Sequence, residues 1–147
     1  MAMAFAVHIP FVEHLGFELV RFEGGQAQID CELNEALTNS FGVAHGGLTM
    51  TLLDVVMAHA ARSPDVMGGE LRPGVVTVEM KTSFTRPGLG RMIGSGRVMH
   101  RTASLIFCEG SVHDVAGDLV AHATGTFKHI RALPVGGKRI NALNGSD

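Results

Sequence analysis

Apolar and polar positions change rhythm twice along this chain. Early on they alternate, and Phe17–Phe22 and Gln26–Leu33 read as two strands joined through Glu23-Gly24-Gly25, a hairpin-type turn. In the second of these, Ala27, Ile29, Cys31 and Leu33 alternate with Gln26, Gln28, Asp30 and Glu32, as in an antiparallel strand with one wet face. From Gly46 to Ala61 the alternation gives way to a Pro-free run rich in Ala, Leu and Met, all good helix formers. At roughly 100° per residue its apolar side chains cover most of the circumference, which predicts a buried helix rather than a surface one. Alternation then returns in four strand-like runs: Val75–Phe84, Met92–Arg101, Ser104–His113 and Leu119–Ile130. Their short links (Pro87-Gly88, Arg101-Thr102, and Asp114–Asp118 with its Gly117) predict a meander in which each strand pairs with its sequence neighbour.

The remaining stretches are connections. Ile9–Leu15 predicts a short amphipathic helix over one end of the core, and Asn34–Val43 is a loop into the long helix. Ser63–Gly74, with Pro64, Gly68, Gly69, Pro73 and Gly74, ends that helix and forms an exposed loop. Pro134–Asp147 is Gly/Asn-rich and reads as a frayed tail. The expectation is a single α+β domain over residues 1–147, with a core at 14–130, a leader at 1–13 and a flexible tail at 134–147. One twisted antiparallel sheet curled around one buried helix satisfies the pattern.

Two features of the central run do not suit a plain core helix. Asp54 sits beyond the first turn, where neither capping nor the helix dipole favours a carboxylate. Gly47, Ala58 and Ala61 fall within about 40° of it and Thr51 within about 60°, so it lies on a narrow strip of small side chains. Met50 and Met57 flank that strip but are flexible. A carboxylate there is either paired with a polar neighbour or used in chemistry. At the helix entry, Ala44-His45-Gly46-Gly47 contains none of the Ser, Thr, Asp or Asn caps that bond the first turn. Its glycines admit another group close to the backbone, as a carbonyl or oxyanion site at a helix N-terminus requires. A tight turn is the commoner reason for Gly-Gly.

Composition narrows the classes. The 147 residues are enough for one real core, and a net charge of −2 gives no sign of non-specific nucleic-acid binding. Without Trp or Tyr there is little on which to stack bases. Cys31 and Cys108 are isolated and read as buried free thiols of a reducing compartment. The apolar opening is interrupted by His8, Pro10 and Glu13 before it reaches signal-peptide form, and no run has transmembrane length. The expected location is cytoplasmic, with no membrane association. The eight histidines show no metal-site spacing, and His122 and His129 fall on opposite faces of one strand, so no metal is expected.

The run Asn39, Gly42, His45-Gly46-Gly47, Leu53, Asp54 forms an N-x-x-G-x-x-H-G-G-x(6)-D pattern. It continues in Pro73-Gly74-Val75, Thr77-Val78-Glu79-Met80 and Phe84-x-Arg86-Pro87, then in Gly96-Arg97-Val98 and Gly117-Asp118-Leu119-Val120-Ala121. In these residues, over roughly His14 to Ile130, the chain resembles the hotdog-fold acyl-CoA thioesterases of the phenylacetate-degradation type, related to 4-hydroxybenzoyl-CoA thioesterase. It departs from them in its long leader and in the 63–72 loop. The resemblance implies a hotdog fold and a homodimer joined sheet edge to sheet edge, commonly paired again into a homotetramer, with active sites at the subunit interface. It also implies hydrolysis of acyl-CoA to free acid and CoA without metal or organic cofactor. Carried over, Gly46 N–H is the oxyanion-type donor, the Asn39 amide positions the carbonyl, and His45 orders that loop. Asp54 of the other subunit is general base or nucleophile, and Thr77 helps hold the attacking water.

Gly47, Arg86, Arg101 and Lys128 are the candidates for contact with substrate, the last three through CoA phosphates; for each cation a solvated surface charge is the alternative. Glu79 is expected on the same strand face as Thr77, where a cross-strand ion pair explains it as well as catalysis does. Two further readings stand beside the hydrolase: a hotdog hydratase or dehydratase, and a non-catalytic acyl-CoA-binding protein on the same scaffold.

Overall fold

The computed structural model describes residues 2–65 and 69–131, so the predicted tail at 134–147 lies outside the described residues. In chain order the elements are α1 (Pro10–His14), β1 (Glu18–Glu23), β2 (Gln26–Glu32), a 3-10 turn (Glu35–Leu37), α2 (Gly46–Arg62), β3 (Val75–Phe84), β4 (Arg91–Arg101), β5 (Leu105–His113) and β6 (Leu119–His129). Element types and bounds follow the hydrophobic rhythm to within a residue or two. The β1–β2 turn is Gly24-Gly25, both at positive φ, which a two-residue hairpin demands and only glycine adopts without strain.

All six strands form one antiparallel sheet in the order β1-β2-β4-β5-β6-β3. This corrects the predicted meander: β3 does not pair with β4 but lies at the far edge beside β6, while β4 pairs with β2. A short link does not force adjacency here. Residues 85–90 can reach about 20 Å when extended, and three strand spacings are only about 15 Å. The crossover is held along its length: Thr85 N–H donates to Val120 C=O, Gly88 C=O accepts from Ala44 N–H, and Gly90 C=O accepts from Leu33 N–H.

Helix α2 touches every strand of the sheet, which therefore curls around it. Its Leu52, Leu53, Val56, Met57 and Ala60 are fully buried against Ile29, Met92, Ile106, Val112 and Phe127. A row of small residues seats it. Ala27, Gly96, Gly110 and Ala123 are successive cross-strand partners on β2, β4, β5 and β6. A Cβ on Gly96 would stand 2.6 Å from the Val56 carbonyl oxygen, so the helix rests on backbone there. The leader is also attached: Met3 N–H donates to Leu19 C=O, Val12 is buried, and Phe5 meets the ring of His59 edge-on. No helix among the described residues is long and apolar enough to cross a membrane.

Candidate active site

The helix face left over by core packing is the predicted strip: Gly47 and Met50 are exposed, and Thr51, Asp54 and Ala58 are half-buried. Ala61, expected on the strip, is instead fully buried at the helix end. Asp54 has one polar partner among the described residues. Thr77 Oγ1 on β3 donates to its Oδ1 at 2.6 Å, and Oδ2 is left open. The hydroxyl thus holds the acid itself.

A bulge in β3 between Thr77 and Glu79 makes this contact possible. Thr77 pairs with the buried Phe127 and faces the helix, whereas Glu79 pairs with Thr126 and faces away. The expected shared face of Thr77 and Glu79 is therefore corrected. Glu79 accepts from Thr126 Oγ1 at 2.7 Å and forms no ion pair among the described residues.

The helix entry is also better capped than expected. His45 is the N-cap, and its Nδ1 accepts the Gly47 N–H at 2.9 Å. Nδ1 must then be the unprotonated nitrogen, which fixes the Nε2–H tautomer. His45 C=O accepts from Leu48 and Thr49, and its own N–H donates to Leu37 C=O, tying the 3-10 turn to the helix start. Gly46 alone is left over: its N–H donates to no group among the described residues. Asn39 folds the preceding loop, its Oδ1 accepting from Phe41 N–H at 2.9 Å and Val43 N–H at 3.3 Å. With the oxygen so engaged, the side-chain NH₂ is the end free to donate outward.

Asn39 and Gly46 open on one cleft of about 410 Å³, whose far wall is the 85–90 crossover. Phe84 is half-exposed in that cleft and its ring would lie 3.7 Å from a Cβ on Gly46. Arg86 lines it too, its half-exposed side chain donating from Nη1 to Asp118 Oδ2 at 3.1 Å. The other two basic candidates are elsewhere. Arg101 donates to Ala61 C=O at 3.0 Å, so it serves the C-terminus of α2, where burial and the neighbouring Arg72 hold its pKa below the usual range. Lys128 is exposed and lies on the sheet face opposite α2, next in sequence to the inward Phe127. Gly47 is on the strip, but its N–H is taken by His45.

The cysteines are out of contention as nucleophiles. Both are free and buried, and burial pushes Cys31 up to about 11 and Cys108 to about 12, so each stays a thiol at neutral pH. Phe84 was missed as a site residue because an aromatic at the end of an alternating strand reads as core. Nothing in the sequence shows that the chain crosses over just beyond it.

A family model described as the thioesterase superfamily matches residues 41–121, more than half of the chain. The Saccharolobus solfataricus protein SSO1253, whose name assigns it provisionally to the esterases, is 30% identical over 114 residues, covering 77% of this chain and 73% of its own. The medium/long-chain acyl-CoA thioesterase YigI of Escherichia coli is 25% identical over 135 residues, covering 84% and 87%. Among solved structures, the phenylacetic acid degradation protein PaaI from Thermus thermophilus superposes with a TM-score of 0.72 at 26% identity, covering 83% of this chain and 100% of that one. The matched span contains His45, Gly46, Asp54, Thr77 and the crossover; α1 lies outside it.

Proposed function

Because the chain belongs to the thioesterase superfamily and has its hotdog fold, we propose that it hydrolyses a small aryl or aliphatic acyl-CoA to the free acid and CoA. The observation that carries this reading is the combination of an Asp54 carboxylate, held by Thr77 on the helix strip not used in core packing, with a Gly46 N–H that has no partner among the described residues. The relative YigI is by name an acyl-CoA thioesterase, which supports the same chemistry here.

These two groups lie eight residues apart on α2, about 12 Å along its axis at 1.5 Å per residue. One thioester cannot meet both within a single protomer. Two chains related by a twofold axis would bring Asp54 of one against Gly46 of the other, and β3, an edge strand, offers the unpaired backbone for that association. The working unit in this reading is a homodimer, with a homotetramer as the larger assembly.

Gly46 N–H and the Asn39 amide receive the carbonyl oxygen. Asp54 of the partner takes a proton from water as the water oxygen bonds to the carbonyl carbon. The negative charge that develops on the carbonyl oxygen is stabilised by the preorganised donors, about 3 kcal/mol for one of them. Collapse breaks the C–S bond, and the proton returns from Asp54 to the departing thiolate. Thr77 donates to the carboxylate and, through its free lone pair, can accept from the water. Arg86, in the same cleft as Gly46, is the cation best placed for a CoA phosphate.

The test is release of free thiol from phenylacetyl-CoA, benzoyl-CoA and short-to-medium aliphatic acyl-CoAs. Asp54→Asn is expected to fold and to bind CoA but to lose turnover by at least ~10²-fold, the usual range for a general base. Hydration of an enoyl-CoA without thiol release would replace this reading by the hydratase one, and binding without turnover by the non-catalytic one.

A further inference from the structure

A second cleft, of about 270 Å³, opens on the other flank of the α2 N-terminus. Phe11 of α1 and its C-cap Leu15 form one wall, Ala36 and Leu37 of the 3-10 turn a second, and Leu48 and Thr51 of α2 the floor. We propose that this cleft seats the acyl chain of the thioester and that Phe11 sets the chain length accepted. The inference rests on the acyl-CoA reading above and adds the part of the substrate that the second cleft recognises.

Three observations converge on an acyl chain as occupant. The first is continuity with the reacting groups. Gly47 and His45 also line the cleft, so it begins one residue from the Gly46 N–H. The second is charge. Among the described residues no Asp, Glu, Lys or Arg lines this cleft, whereas Arg86 lines the cleft on the Asn39 side. A thioester lying across the helix start would therefore send its phosphates towards Arg86 and its hydrocarbon the other way.

The third observation is the orientation of α1. Val12 is buried and fixes this short helix to the core, while Phe11 and Leu15, four residues apart and so on one face, turn towards the cleft. Phe11 is left 58% exposed, so a large apolar surface is available to whatever enters the cleft. Covering it is what a bound chain would do. The wall that α1 forms comes from the segment that precedes β1.

Apolar transfer strengthens binding about fourfold for each methylene seated, the equivalent of ~0.8 kcal/mol. The experiment measures the affinity of the whole protein for non-hydrolysable S-alkyl-CoA thioethers from butyl to dodecyl, alongside kcat/KM for the matching acyl-CoAs. The wild type is expected to gain affinity severalfold per methylene and then reach a plateau where the cleft is full. Phe11→Ala should flatten the rise by about tenfold across the series, and Ala36→Phe, which adds bulk at an exposed wall position, should move the plateau to shorter chains. The difference from wild type should grow with chain length, and neither residue carries a reacting group. Length profiles that stay the same in both variants would overturn the proposal, as would dissociation of a dimer on Phe11→Ala in size-exclusion chromatography, which would mean that a second copy covers Phe11. A chain-length rise in affinity with no thiol release would keep the cleft assignment and discard the hydrolase. Thiol release with flat profiles in every variant would do the reverse.

Discussion

His45 shows how a residue outside the usual capping set can do a cap's work. Only its neutral ring, with Nδ1 as acceptor, can take the Gly47 N–H, and the same residue's backbone N–H ties the 3-10 turn to the helix start. By satisfying Gly47 it leaves Gly46 as the first-turn amide with no partner among the described residues, so the cap selects which amide faces the cleft. His45→Ala should lower the free energy of unfolding by ~1 kcal/mol, the usual value of a lost cap, and His45→Asn should recover most of it. Urea denaturation at one fixed protein concentration, with the m-value unchanged, reads this out; an unaltered midpoint for the alanine variant would show that the ring holds nothing. At this scale the sequence was informative about position and less so about partnership. Asp54 and Gly46 stood out because each broke a local expectation, an acid in an apolar helix and glycine where a cap belongs. The Thr77–Asp54 bond left no trace, since it joins a strand and a helix 23 residues apart through a bulge that no pattern announces.

At the scale of elements, the strands and the central helix were legible because each buries one face or one stripe, and burial writes itself into the hydrophobic period. Their order was not, because the crossover between β3 and β4 is held by backbone hydrogen bonds to Val120, Ala44 and Leu33 that any sequence of similar size could make. The same is true of the small-residue row beneath α2, whose members are brought together only by register. One buried group couples this packing to pH. His59, on the buried face of α2, lies edge-on to Phe5 and Phe22 with its Nδ1 on the Val55 carbonyl, and burial, assisted by the nearby Arg62, lowers its pKa to about 4. In the unfolded chain it titrates near 6.5. Between those values the unfolded state holds a proton that the folded state refuses, so stability is complete above pH 6.5 and falls as pH drops towards 4. The full loss approaches ~3 kcal/mol at 1.36 kcal/mol per pKa unit. Thermal or urea unfolding between pH 7 and pH 4.5 should show this decline, and His59→Leu should flatten it; parallel wild-type and variant curves would assign the acid sensitivity to other groups.

For the whole molecule, the decisive quantity is the ~12 Å that separates Asp54 from Gly46 along one helix. It turns the question of mechanism into one of assembly, because an acid and an amide donor so far apart serve one carbonyl only if they come from different copies. That requirement has a consequence independent of any single mutant's activity. In a dimer with two composite sites, Asp54→Ala removes the acid from one side of each site, and Asn39→Ala weakens the carbonyl donor on the other. A mixed dimer of the two variants then has one site with both defects and one with neither. Random reassociation of equal amounts makes about half of all dimers mixed, each with one of two sites intact, so about a quarter of wild-type kcat should return from two nearly inactive parents. If each site were instead built within one protomer, every site in the mixture would carry one lesion and mixing would restore nothing. The recovered fraction should also fall when mixing is done under conditions that prevent subunit exchange, which separates true complementation from residual activity of either parent.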